Sequence, residues 1–422
     1  MLVATLVLVA VVSTVLVGVM AHVSQEHKML ARTATWNSAL PVAEAALEEA
    51  MSHMWWVQLG NRAVNGWTVS GTNVARARYL TNSNSRYSVA ISSAIPPIIY
   101  STGAVWCASA NKFVERRIQA RTRGESYFMK GIQAKQKITM SGQISVDSFH
   151  SDDPLYSTNG LYTASKKKAG GDVGTNLSTP DAIDMGGQAK IYGKVATGPL
   201  GTVKVGGQND IGSIAHVDGA ATGIQAGWYT KDMNVSHPNV VVPTNGVWFN
   251  LLSSPVPQLI GGVSYKWVLT GGNYNLPTLS LSAGDKMLVT GTAILVVNLD
   301  MSVSGTIILN PGANLQIYLK SGSISLSGNG LRNDTGRAYN FGLWCLPAVS
   351  QVNISGDGHI VGTVYAPSAV VSLSGGGSGG IDFVGAIVGN SVNGSGSYTF
   401  HYDEALKDRG MRNLVVVNWK EI

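Results

Sequence analysis

The chain opens with MLVATLVLVAVVSTVLVGVMAH, in which no Asp, Glu, Lys or Arg appears and the first polar landmark is His22. Residues 1 to 21 as a helix would span roughly 32 Å, the thickness of a bilayer's hydrocarbon core. A signal peptide normally begins with a basic region, and none precedes this apolar run. Val19 and Ala21 imitate a cleavage site, but a simple anchor would hand over to a linker. Instead the pattern stays helical. No glycine occurs between Val23 and Met54, and Leu30, Ala34, Leu40, Ala43, Leu47 and Met51 recur at three- and four-residue spacings. Glu44, Glu48 and Glu49 fall on other faces. Pro41 is expected to kink the helix or restart it, and Gly18 is a second weak point. The reading is one helix over residues 1–54, roughly 80 Å long, with an apolar half (1–21) and an amphipathic half (22–54).

The remainder has a different texture. Charged residues are only 13% of the chain and glycine accounts for 50 residues, which favours short strands and tight turns over a helical enzyme. A net charge of +6 over 422 residues is modest, so a nucleic-acid partner is not inferred. Residues 55–130 read as an antiparallel sheet. Tyr87, Val89 and Ile91 alternate onto one face of YSVAI. KFVERRIQARTR places Val114, Ile118 and Ala120 on one side, with Glu115, Arg117, Gln119, Arg121 and Arg123 on a solvated other side. SAIPPIIYSTGA is the break between these strands.

From about residue 131 to 406 a short motif repeats: apolar, any, apolar, small, Gly. It occurs as ITMSG (138–142), IDMGG (183–187), VKVGG (203–207), MLVTG (287–291), MSVSG (301–305), ISLSG (324–328), VNISG (352–356) and VSLSG (371–375). Each is a short alternating strand ending where glycine permits a turn. Irregular spacing argues against fixed propeller blades and favours a parallel β-helix whose rungs carry loop insertions. The fold class is therefore α+β: a long helix, a small antiparallel sheet, a β-solenoid, and a tail strand in 407–422.

Chemistry is sparsely signalled. Asp147, Asp152 and Asp153 in VDSFHSDDP form the best acidic cluster, to be read as a capped turn or a weak calcium site. Asp181 and Asp184 flank DAIDMGG. The eight histidines show no paired ligand spacing, and SKKKAGG lacks the Gly-Lys-Ser/Thr order of a phosphate loop. No catalytic residues and no cofactor are assigned. Cys107 and Cys345 allow one disulfide or two buried free thiols. Aromatics in QAGWYT, GVWFN and GGVSYKW could stack on sugars or on another subunit, or cover the core.

An apolar helix continuing into VAEAALEEAM (42–51) resembles the type IV pilins, and within them the PilX-like pilus assembly proteins. SGQISVDSFHSDDPLYSTNG (141–160) and GTVYAPSAVVSLSGGG through to HYDEAL (362–406) resemble the C-terminal region of those proteins. The resemblance implies a subunit held first in the inner membrane, processed by a prepilin peptidase, methylated at its new N-terminus, and moved by pilus-type assembly machinery into an extracellular homopolymer on the cell surface. Met1, Leu2, Val3, Thr5, Leu6, Leu8, Val9, Val12, Leu16 and Val19 would then lie in the filament core. The β-domains would form an outer surface for adhesion to a glycan or another surface ligand. Most pilins carry Glu where this chain has Thr5, a departure that favours a minor or tip subunit which primes or caps a filament. A membrane-tethered β-helix acting on or binding polysaccharide is the third reading.

Overall fold

The computed structural model describes residues 2–57, 63–80, 84–94, 96–219, 221–244, 246–327, 330–376, 380–409 and 412–422. The chain divides into two compact units. Residues 1–125 with 412–422 form the first, and 126–411 form the second, inserted between two strands of the first.

In the first unit, α1 (Leu2–Val57) runs without interruption through Pro41. Its fully buried residues are Ala39, Ala43, Ala46, Ala50 and Met54, spaced four, three, four and four apart, which is one face of a helix. That face packs on an antiparallel sheet ordered β1 (Thr68–Ser70), β2 (Asn73–Tyr79), β3 (Ser85–Ile91), β4 (Ile98–Cys107), β5 (Lys112–Ser126) and the final strand Arg412–Glu421. Small residues are required there because the helix backbone lies against β4. A Cβ on Gly103 would come within 2.3 Å of the Ala39 carbonyl oxygen, and Ser101 Oγ donates to the Ala43 carbonyl at 2.8 Å. Tyr87, Val89 and Ile91 face the helix, as their alternation predicts. SAIPPIIYSTGA is only half a break. Its second part begins β4, which pairs with both β3 and β5. Glu49 anchors the helix side, with Arg76 at 3.2 Å, Arg78 at 3.4 Å and the Tyr87 hydroxyl donating to its carboxylate.

The second unit is almost entirely parallel strands. One ladder aligns Phe249, Tyr274, Leu295, Ile317, Leu343, Val364, Ile387, Ile132, Val173 and Val195 in that spatial order. A second aligns Leu279, Met301, Ile324, Val352, Val371, Val392, Ile138, Ile183 and Val203. A third, shorter one aligns Trp267, Met287, Ile307 and Leu331. Seven of the eight repeated pentapeptides therefore begin at equivalent points of the second ladder, with their first and third residues turned into one core. MLVTG alone belongs to the third ladder. Gly328 of ISLSG lies outside the described residues. Two copies escape the sequence pattern, LSLSA (279–283) and VNGSG (392–396). Inside the stack the motif's glycine is dictated by its neighbours: Gly396, Gly142 and Gly187 lie in register, and a Cβ on Gly142 would come within 2.0 Å of the Gly396 carbonyl oxygen, whereas Gly207 on the outermost copy is open. Gly142 also has φ of +128°.

Spatial order is not chain order. Strands from 248 to 403 lead up to Ile138, and strands from 132 to 230 continue beyond it. A strap from residue 231 returns along the stack. Met233 N donates to Thr197 O, Asn176 brackets Val235 at 2.7 and 3.0 Å, and the Tyr365 hydroxyl donates to Pro238 O at 2.8 Å. Ten strand steps from Tyr229 to Phe249 at about 4.8 Å make about 48 Å, within reach of the seventeen residues from 231 to 247 at roughly 3.3 Å each.

Candidate functional site

The feature with most surface to dispose of is the first part of α1. Leu2, Val3, Thr5, Leu6, Leu8, Val9, Val12, Leu16 and Val19 are all exposed, and Met1 lies outside the described residues. The helix is long and apolar enough to cross a membrane, and none of its apolar window is buried. Its hydroxyls are turned inward: Thr5, Ser13 and Thr14 donate to the carbonyls of Leu2, Val9 and Ala10. Such back-bonding removes the polar cost of an apolar environment. Covering these aliphatic side chains is worth on the order of 25 kcal/mol. His22, 3.3 Å from Glu26, marks the polar edge.

The three acidic candidates do not converge. Asp147 is buried, its Oδ1 2.5 Å from His401 Nδ1, and its Oδ2 accepts from the Tyr162 hydroxyl at 2.7 Å. Asp152 pairs with Arg409 at 3.0 Å. Asp153 closes a turn, accepting from Leu155 N at 2.9 Å. Each of the three carboxylates faces a different protein partner, and among the described residues there is no group of three or more His, Cys, Asp or Glu placed to hold a metal. Asp184 is held below the usual carboxylate range by hydrogen bonds first from Lys137 and then Lys204.

The arrangement around Asp147 is a network the sequence did not announce. His401 sits between Asp147 and Asp382, with Nε2 3.3 Å from Asp382 Oδ1, and the Tyr162 ring stacks on it at 3.5 Å. His359 Nδ1 lies 2.9 Å from Asp382 Oδ2. Burial works against the imidazolium, but its hydrogen bonds to the Asp147 and Asp382 carboxylates outweigh it and push His401 up to about 9. Burial likewise opposes the Asp382 charge, and His359 and His401 overcome it and hold that carboxyl well below its ordinary range. Burial and the Asp147 charge drive the Tyr162 phenol upward. The register supplies these contacts, since Asp147 is paired with His401 and His359 with Asp382 on adjoining strands.

Cys107 and Cys345 are free, buried thiols, one in each unit. Cys107 Sγ lies 3.2 Å from Ser109 Oγ at the end of β4, while Cys345 is enclosed in the core of the second unit, where burial pushes its thiol up. Of the loop aromatics, Trp267 is buried with Nε1 donating to Leu252 O at 3.0 Å, Tyr229 and Trp248 pack on the core, Phe249 is exposed and Trp228 is half-buried. On β5, Arg117, Arg121 and Arg123 are exposed, and Arg116 turns inward to Glu421 at 2.5 Å.

A family model described as a domain of unknown function (DUF7305) matches residues 259–409, inside the second unit. No curated protein matches the chain. Among solved structures, the competence-associated pilin ComZ from Thermus thermophilus aligns over 92% of this chain and 97% of that one, at 12% identity and a TM-score of 0.27.

Proposed function

We propose that the chain is a structural subunit of a type IV pilus-like filament of the PilX-like kind, with no catalytic turnover. The observation that carries this is the division of α1. One unbroken helix buries an alanine face against a sheet in its second part, and in its first part exposes an apolar surface interrupted only by hydroxyls bonded back to the helix. A lipid bilayer covers such a surface before assembly, and the same segments of neighbouring copies cover it in a polymer. A heterologous contact that does not close yields a filament. The three parallel ladders are read as the sides of a β-helix forming the outer coat, suited to adhesion. Assembly-machinery partners, prepilin processing and N-terminal methylation belong to this reading, as does passage from inner membrane to cell surface.

A minor or tip subunit is the second reading, favoured by Thr5, whose hydroxyl is bonded to Leu2 O and supplies no carboxylate to a neighbour's amine. Negative-stain microscopy of the native assembly distinguishes them. Long homopolymers, abolished by Leu6→Asp, are expected for the principal subunit. Filaments built of another protein and carrying this chain only at their ends reassign it to the tip. Membrane-bound monomers with no filament overturn both.

A further inference from the structure

The second unit carries a cleft of about 370 Å³ lined by Trp228, three lysines (168, 194 and 407), Asp172 and Glu404. Asp172, Lys194 and Trp228 each precede a member of one register set, Val173, Val195 and Tyr229. They therefore rise one above another at one corner of the stack, at steps of about 4.8 Å. Val173 N donates to Lys194 O at 3.0 Å and Val195 N to Trp228 O at 2.9 Å, which fixes the column through its backbone.

The polar groups are of two kinds. Both carboxylates are held in place: Asp172 Oδ1 accepts from Lys194 N at 2.8 Å, and Glu404 accepts from Ser148 Oγ at 2.8 Å and Lys168 Nζ at 2.5 Å. Among the described residues, the ammonium groups of Lys194 and Lys407 have no carboxylate within 4.0 Å, and Lys407 Nζ lies 5.5 Å from the centre of the Tyr402 ring. The Trp228 indole makes no ring contact and no hydrogen bond among those residues, and the residue lines the cleft half-buried.

We infer that this cleft binds an acidic saccharide, a chain of uronate residues. The indole offers a flat apolar face to the C–H face of a pyranose. Glu404 and Asp172 accept from sugar hydroxyls, and Lys194 and Lys407 take the uronate carboxylate. A nucleic-acid strand suits the cleft less well, because a single-strand track needs an uninterrupted cationic groove with successive stacking platforms, and this cleft offers one indole. The site goes beyond the filament reading and does not require polymerisation.

The test is calorimetric titration of the full chain in detergent with an oligogalacturonate, its methyl ester and a single-stranded oligodeoxynucleotide. The acid is expected to bind, and the ester about tenfold or more weaker. Trp228→Ala is expected to cost at least about tenfold while Trp228→Phe retains most affinity. Lys194→Gln combined with Lys407→Gln should bring the acid down to the level of the ester. Unchanged circular dichroism verifies that each variant is folded. Absence of oligogalacturonate binding at millimolar concentration, equal affinity for acid and ester, tighter binding of the oligonucleotide, or an unaffected Trp228→Ala each overturns the assignment.

Discussion

Replacing His401 by Gln removes a charge that the second unit holds between two carboxylates while leaving a side chain able to hydrogen-bond. A folded-state pKa near 9, against 6.5 when unfolded, means the imidazolium stabilises the fold. At about 1.4 kcal/mol per pH unit this is on the order of 3 kcal/mol, and the side chain is too buried for solvent to screen much of it. The contribution is fully present below pH 6.5 and is lost as pH climbs through about 9. Asp382, whose pKa is depressed, acts oppositely: its share is present above the usual carboxylate range and lost on acidification, outside this window. Thermal melts of the full chain between pH 6.5 and 9.5 should show the native protein losing on the order of 3 kcal/mol, about 5 °C for a unit of this size. His401→Gln should start lower at pH 6.5 and then follow a flatter course, meeting the native curve near pH 9.5. Parallel curves for the two proteins would refute the assignment of this pH dependence to His401.

Gly142→Ala should lower stability by about 2–4 kcal/mol, because the new methyl meets the Gly396 carbonyl and the backbone sits at positive φ. Gly207→Ala, with nothing within 4 Å of its Cβ position, should shift the melting temperature by less than about 1 °C and serves as the control. Both cysteines should resist a thiol reagent in the native chain and react fully once it is denatured, with identical mobility on reducing and non-reducing gels; a mobility difference would indicate a bridge.

The repeated pentapeptides were legible because alternation and a terminal glycine are local properties. Their partners were not, since any apolar-x-apolar strand can stack on any other. Met301 meets Ile324 only 23 positions away, but Val392 meets Ile138 from the opposite side of the unit. Hence the spatial order of the strands and the His401 network, which depends on the same long-range register, could not be read in advance. The face of α1 was legible only in part. Large residues such as Leu30 and Leu40 suggested the contact, yet Leu30 is exposed and the buried stripe is alanine. What decides this is Gly103 on β4, which brings the sheet up to the helix backbone and leaves no room for leucine. The acidic trio misled because adjacency in sequence says nothing about direction: Asp147 points into the strand layer, and Asp152 and Asp153 turn away with the loop.

The returning strap settles how the inserted unit carries tension. Without it, a stack wound in one direction would have its two ends at opposite poles. With it, entry and exit meet at mid-stack, where the Tyr402 hydroxyl donates to Phe128 O at 2.6 Å. The two neighbouring turns that begin and end there, joined by the twelve pairs from Val392–Ile138 to Asp403–Phe149, therefore carry any load that enters the unit through its chain ends.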